Sequence, residues 1–229
     1  MIQSYANQPR VLLAVDCIIF GFDDEQLKLL LIKRNFEPEK GHWSLMGGFL
    51  HQVETLDEAA NRVLKNLTGL HDVYMEQLSA FSEPERDPVE RTISVAYYAL
   101  INIHDHDEEL IKKHSAKWFN LSDVPSLIFD HEEMVQRAIS RLRYKTSVQP
   151  LGFELLPEKF TMRQLQKLYE AILGQSLDKR NFTKKINQMD ILKKLEEKDM
   201  NSSRKGSYLF RFDKEKYENK IRDGFTFRV

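Results

Sequence analysis

The run TLDEAANRVLKNLTG, residues 55–69, constrains this chain more than any other stretch. Thr55 and Glu58 have the spacing of a capping box: the Thr hydroxyl accepts from a helix-start N–H, and the Glu reaches back to the Thr backbone. Leu56, Ala59, Ala60, Val63, Leu64 and Leu67 recur at steps of three and four, which predicts one broad apolar face. Gly69 suits the left-handed residue that closes a helix. Such a helix holds only when that face lies against something else. Strands are available for it. Val11–Phe20 and Leu27–Ile32 read as β runs around a turn-like Gly21-Phe22-Asp23-Asp24. Val73–Phe81 and Thr92–Ile103 add two more, the second almost continuously apolar, as a strand covered on both faces should be. Trp118–Phe119 starts a short strand before the turn at Pro125. A helix from roughly Asp130 to Lys145 turns Met134, Val135, Ala138, Ile139 and Leu142 inward.

Taken with its flanks, Gly48–Leu70 resembles a Nudix box, the loop–helix–loop that binds Mg²⁺ in enzymes cleaving nucleoside diphosphates linked to another group. Gly48, Glu54, Arg62, Leu64, Gly69 and Leu70 fall where the family has its glycine, glutamate, arginine and aliphatic residues. The metal-carrying glutamates are replaced by Val63, Asn66 and Leu67. Those positions share a helix face, where an enzyme would gather carboxylates around a hard cation. Valine and leucine offer no ligand, and one Asn carbonyl is a weak substitute. Glu54, Asp57 and Glu58 stay close by and read as capping and loop residues. Residues 41–49, GHWSLMGGF, resemble the family's tryptophan-containing entry, with Met46 where proline is usual. The resemblance therefore implies a Nudix domain without catalytic residues, bound metal or cofactor.

Charge divides the chain. Residues 151–229 carry 18 Lys and Arg against 12 Asp and Glu, whereas residues 1–150 carry 16 against 23. This asymmetry suggests a nucleic-acid-binding segment joined to a domain with another task. The single cysteine, Cys17, lies in the apolar run VLLAVDCIIF, so it reads as a small buried hydrophobe and no internal disulfide is possible. The start MIQSYANQPR has no apolar leader and no run is long enough for a membrane span, so a cytoplasmic protein without membrane contact is expected.

In the second half, Thr161 and Gln164 form another capping box ahead of Leu165, Leu168, Tyr169 and Ile172, and Gly174 stops that helix. Asp178 caps a helix from Lys179 to about Met189 whose Phe182, Ile186 and Met189 face inward. Lys179, Arg180, Asn181, Thr183, Lys184, Asn187 and Gln188 are left as candidate DNA contacts. Two short helices with such an outer face fit a helix-turn-helix and its recognition helix. Ile191–Leu195 and Ser207–Phe212 read as a β-wing with Arg204 and Lys205 at its tip. Pro150 and Gly152 mark the linker.

The combination resembles the Nudix-related transcriptional regulators, the NrtR-like family, across nearly the whole chain. The likeness rests on Asp16-Cys-Ile-Ile-Phe20, the altered box, Glu76-Gln77-Leu78, Arg86-Asp87-Pro88, Ser94-Val-Ala-Tyr97, Phe129-Asp130-His131 and Leu177-Asp-Lys-Arg-Asn-Phe182. It implies an α/β fold: a Nudix α/β/α sandwich with a mixed sheet over residues 1–149, then a C-terminal winged helix-turn-helix domain over residues 150–229. It also implies a homodimer that binds pseudo-palindromic operator DNA and senses a small molecule. The chain looks closest to the arabinose and pentose branch, which implies a repressor of carbohydrate-utilisation genes. A net negative first half without metal carboxylates favours a neutral sugar over a diphosphate ligand, with a nucleotide sugar kept as the other candidate effector. Trp43, Glu54, Arg62, Glu76, Gln77, Arg86 and Asp87 are the candidate effector contacts, in a pocket expected near the dimer contact or the linker at Pro150. The alternatives are an ADP-ribose-responsive regulator of NAD metabolism and a Nudix hydrolase with a displaced metal site.

Overall fold

The computed structural model describes residues 8–23, 25–105, 115–200 and 205–227. Its centre is β1 (Leu12–Phe22), which runs parallel to β6 (Thr92–Asn102) in a register from Leu12↔Thr92 to Phe22↔Asn102. On its other side β1 pairs antiparallel with β2 (Leu27–Lys33) and with β4 (Met46–Phe49). The short β3 (Trp43–Ser44) joins β2, β5 (Glu76–Phe81) pairs with β6, and β7 (Ala116–Asn120) pairs with β2. The sheet is thus mixed, as expected.

Alternation along β1 assigns its side chains to two layers, because successive strand residues point to opposite faces. Val15, Cys17 and Ile19 pack with Ala59, Ala60, Val63 and Leu64 of α1 (Leu56–Thr68). Ile18, Phe20 and Phe22 pack with Met134, Val135 and Ala138 of α2 (His131–Val148). All these side chains are buried. The sandwich places one helix on each face of β1. The α1 capping box is present, and Gly69 closes the helix at φ 76° with its N–H on the Lys65 carbonyl.

Gly48 belongs to the box for a packing reason. A Cβ there would lie 2.7 Å from Val63 Cγ2, inside contact distance. Gly48→Ala is expected to push β4 and α1 apart and cost about 1–3 kcal/mol. A urea-unfolding midpoint equal to that of the unaltered protein would contradict this.

Several strand boundaries differ from expectation, among them that of a second-half strand, which runs on to Asp199 past the expected Leu195. β1 continues through Gly21 and Phe22, because Gly21 makes room for neighbours and not for a turn: its Cβ would meet Ile103 Cγ1 at 2.6 Å and Trp118 at 2.7 Å. The turn follows, where the Gln26 N–H donates to Asp23 Oδ1. β5 begins at Glu76 instead of Val73, whose side chain fills the α1-side core.

The second half holds α3 (Met162–Leu173) and α4 (Lys179–Met189), with a small sheet in the order β8 (Phe160–Thr161), β10 (Ser207–Phe212), β9 (Leu192–Asp199). The Thr161–Gln164 capping box and the Asp178 cap both form. This is the winged helix, with β9 and β10 as its wing. A helix not expected from the sequence, α5 (Lys214–Arg222), follows β10. The core does not stop at the junction. One buried cluster runs from Met134 and Leu142 through Phe153 and Leu155 to Leu165, Tyr169, Phe182 and Ile186. Among the described residues no helix is long and apolar enough to cross a membrane.

Candidate effector cavity and DNA-binding face

A cavity of about 200 Å³ opens where β1, the end of β2, β4 and the start of α2 meet, and Asp16, Lys33, Arg34, Phe36, Arg86, Asp87, Phe129 and His131 line it. A buried polar network forms its floor. Asp16 accepts a 2.6 Å hydrogen bond from Ser94 Oγ, with Arg86 Nη2 at 3.8 Å and His131 Nε2 at 3.6 Å. Arg86 also donates from Nε and Nη2 to both oxygens of Asp130, at 2.8 and 2.7 Å. The Leu45 N–H donates to His131 Nδ1 at 3.2 Å, which puts the proton of a neutral ring on Nε2, facing Asp16. Burial holds the His131 pKa below its ordinary value, against the pull of Asp16 and Asp130. Gly47 completes the floor, since any Cβ there would sit 2.3 Å from Asp16 Oδ1.

Arg34 stands on the wall. Its guanidinium carbon lies 3.8 Å from the centroid of Phe36 and 5.5 Å from that of Phe129, and Nε donates to the Pro38 carbonyl. No carboxylate among the described residues lies within ion-pair distance of it. Burial draws its pKa down, while Asp87 and Asp16 pull it up. Phe36 is 53% and Phe49 47% exposed, so the mouth is aromatic as well as cationic.

Of the effector contacts expected from sequence, only Arg86 and Asp87 line this cavity. Trp43 packs edge-to-face on Phe119 with ring centroids 4.8 Å apart. Glu54 and Arg62 hold each other through two hydrogen bonds of 2.8 and 2.6 Å, and Arg62 also donates to the Phe49 carbonyl. That pair braces the loop before α1 and, with the His51 N–H, keeps the Glu54 pKa low, at about 2. Glu76 pairs with Lys145 in a separate cavity beside Leu151 and Leu155, and Gln77 is exposed on β5. Pro150 follows the C-terminal end of α2, whereas this cavity opens at its N-terminal end. Arg34, Asp16 and His131 escaped the sequence reading. Asp16 and His131 lie in the quoted Asp16-Cys and Asp130-His131 pieces, and Arg34 lies in none of them.

The carboxylates near the altered box are all engaged. Glu58 caps α1, Asp57 accepts from the Tyr97 hydroxyl at 2.6 Å, and Glu54 holds Arg62. Val63 is buried and Asn66 exposed. Among the described residues no group of three or more His, Cys, Asp or Glu could hold a metal ion.

In the winged helix, Lys179, Arg180, Asn181, Lys184, Asn187 and Gln188 are exposed on α4, and Thr183 is half-buried. Phe182, Ile186 and Met189 anchor the opposite face. Asp190, just past α4, is occupied by Lys216 at 2.7 Å and Lys220 at 3.6 Å, so α4 keeps a positive outer surface. Lys205 is exposed in the turn two residues before β10, the wing's second strand, while Arg204 lies outside the described residues.

Residues 11–138 match the NUDIX domain family, and residues 152–212 match the NrtR DNA-binding winged helix domain. The chain belongs to the NrtR-like family. Members join a Nudix domain to a winged helix and act as ligand-responsive, DNA-binding regulators. The NrtR-like chain is 33% identical over 217 residues to the ADPR responsive transcriptional repressor NtrR of Acinetobacter baylyi, covering 93% of this chain and 86% of that protein. Shewanella oneidensis NrtR, solved with a 27mer DNA, superposes with a TM-score of 0.76 at 30% identity, covering 87% of this chain and 93% of that one. Its Nudix domain, solved with ADP ribose, gives 0.51 at 32% identity over 58% of this chain and 90% of that one. The ADP-ribose pyrophosphatase of Methanocaldococcus jannaschii is 36% identical over 128 residues, which is 54% of this chain and 70% of that protein. These relatives give no support to the arabinose branch.

Proposed function

We propose that this NrtR-like chain is a repressor whose Nudix domain binds ADP-ribose, or a close nucleoside diphosphate sugar, without hydrolysing it. In this reading residues 1–149 sense the effector and residues 150–229 bind the operator, as a cytoplasmic homodimer on a pseudo-palindromic site. The observation that carries it is Arg34, a guanidinium in the cavity wall with an aromatic ring beneath it and no carboxylate within ion-pair distance among the described residues. A diphosphate brings at least two negative charges and needs cations when it leaves water. The net negative charge of the first half pointed to a neutral sugar. A ligand feels the charges beside it, and here Lys33, Arg34 and Arg86 line the cavity against Asp16 and Asp87, three cations to two carboxylates. The relatives named for ADP-ribose support the same effector.

The absence of turnover is supported by Val63, Asn66 and Leu67, which leave the helix face without metal carboxylates, and by the engagement of Glu54, Asp57 and Glu58 with protein groups. Activating water with Mg²⁺ needs the ion held in place. ADP-ribose is expected to raise the thermal-unfolding midpoint while arabinose does not. Arg34→Ala should weaken ADP-ribose binding by about 1.5–3 kcal/mol, the range for a hydrogen bond to a charged group. Mg²⁺-dependent cleavage of ADP-ribose, abolished by EDTA, would move the chain to the hydrolases. A shift with arabinose alone would restore the sugar reading.

A further inference from the structure

The cavity floor and the winged helix are joined by one element, α2. Asp130 holds the N-cap position of α2, yet its carboxylate makes no cap bond, and both its oxygens accept from Arg86. Arg86 lines the cavity and lies 3.8 Å from Asp16 as well. Twelve residues beyond His131, about 18 Å along the helix axis, Arg143 Nε donates to the Ile172 carbonyl at 3.2 Å in the last turn of α3. Its guanidinium also covers Gly174, where a Cβ would stand 2.5 Å from Nη2. A cation therefore sits on the negative end of α3, the helix that leads into α4.

We propose that the Arg86–Asp130 pair is a latch opened by the effector, and that Arg143 transmits the resulting movement of α2 to the DNA-binding helices. This rests on reading the cavity as the site of an anionic effector. The Nε–Nη2 fork of Arg86 is engaged by Asp130, and that fork grips one oxyanion at a time. A phosphate entering the cavity competes with Asp130 for that fork. Once released, the Asp130 carboxylate turns to the free N–H groups at the start of α2, where an Asp cap is favourable. At that fork the alternatives are discrete: Asp130 or ligand. A packed helix answers such a change by shifting as a body. Arg143 is a directional polar contact from α2 to the end of α3, so it converts that shift into a new aim for α4. Arg86 and Asp130 set the state, and Arg143 is a positioning residue that touches neither effector nor DNA.

The test measures ADP-ribose and operator affinities, each alone and in the presence of the other, for the unaltered chain, Arg143→Ala, Arg143→Lys and Asp130→Asn. In the unaltered chain ADP-ribose should lower operator affinity by roughly 5- to 150-fold, with the reciprocal effect on ADP-ribose binding. Arg143→Ala should bind each partner alone within about twofold of normal but show less than about twofold coupling. Arg143→Lys, which keeps a cation on the α3 carbonyls, should restore part of it. Asp130→Asn, a weaker competitor for Arg86, should bind ADP-ribose several-fold more tightly and the operator more weakly even without effector. Full coupling in Arg143→Ala, or unchanged affinities in Asp130→Asn, overturns the latch while leaving the effector assignment standing. Failure of the unaltered chain to bind ADP-ribose overturns both.

Discussion

Replacing Arg180 and Lys184 together by alanine should abolish operator-specific binding while leaving the fold intact. Both side chains are exposed on α4, opposite the buried Phe182 and Ile186, so their loss removes no core packing. If α4 enters the major groove, an Arg bidentate to a base contributes about 1–3 kcal/mol of discrimination, and the neighbouring Lys adds to it. Lys205→Ala behaves differently. It sits at the wing, where a phosphate contact is expected, so its loss should weaken specific and random DNA alike and lower the salt slope by about one. Gel shifts at several salt concentrations separate the two behaviours. Equal operator binding by the Arg180→Ala/Lys184→Ala chain would reject α4 as the recognition helix.

The elements that sequence reveals well are those whose signals are local. The α1 helix carries its caps and its periodicity within residues 55–69, and all three features appear in the structure. The same holds for α3 and α4, whose caps at Thr161 and Asp178 form as their spacing predicts. α5 was missed because Tyr217 and Ile221 are the only large apolar residues in KEKYENKIR, too few to mark a face. Its cap was legible all the same: Asp213 accepts from the Lys216 N–H. Gly21 misled for the opposite reason. A glycine beside two aspartates suggests a turn, yet here it makes room for Trp118 and Ile103, neighbours that local sequence cannot supply.

The cavity was less legible because strand register and long-range contacts build it. Arg34 lies between Phe36, two residues away, and Phe129 from the far side of the domain. Asp16 meets Ser94 through the β1–β6 pairing, and His131 reaches Asp16 only because α2 starts over the sheet edge. Glu54 and Arg62 drew attention as charged residues of the box, but eight residues of separation on a loop and helix let them satisfy each other. Net charge summed over a half chain pointed toward a neutral ligand for a similar reason. It counts exposed carboxylates such as Glu83 and Glu90 equally with the cations that line the cavity.

Arg86→Ala is expected to be among the most destabilising single changes in the Nudix domain. The Arg86 side chain is 3% exposed, beside Asp16 at 7% and Asp130 at 16%. Its removal leaves two carboxylates in a low-dielectric floor with no cation between them. Asp16 keeps the Ser94 hydroxyl, but Asp130 loses a charge-assisted partner for each oxygen. Breaking a buried pair by deleting one member costs about 3–5 kcal/mol, most of it the desolvation of the charge left behind. The pair as a whole is worth less than that. Arg86→Met with Asp130→Leu, which removes both charges and keeps apolar volume, should therefore recover much of the loss, as buried ion pairs replaced by well-packed hydrophobes often do. Urea unfolding of the two variants against the unaltered chain gives the comparison directly. A loss below about 1 kcal/mol for Arg86→Ala would mean that the floor is wet and its charges screened. A double variant as unstable as the single one would place the cost in lost packing around the guanidinium instead.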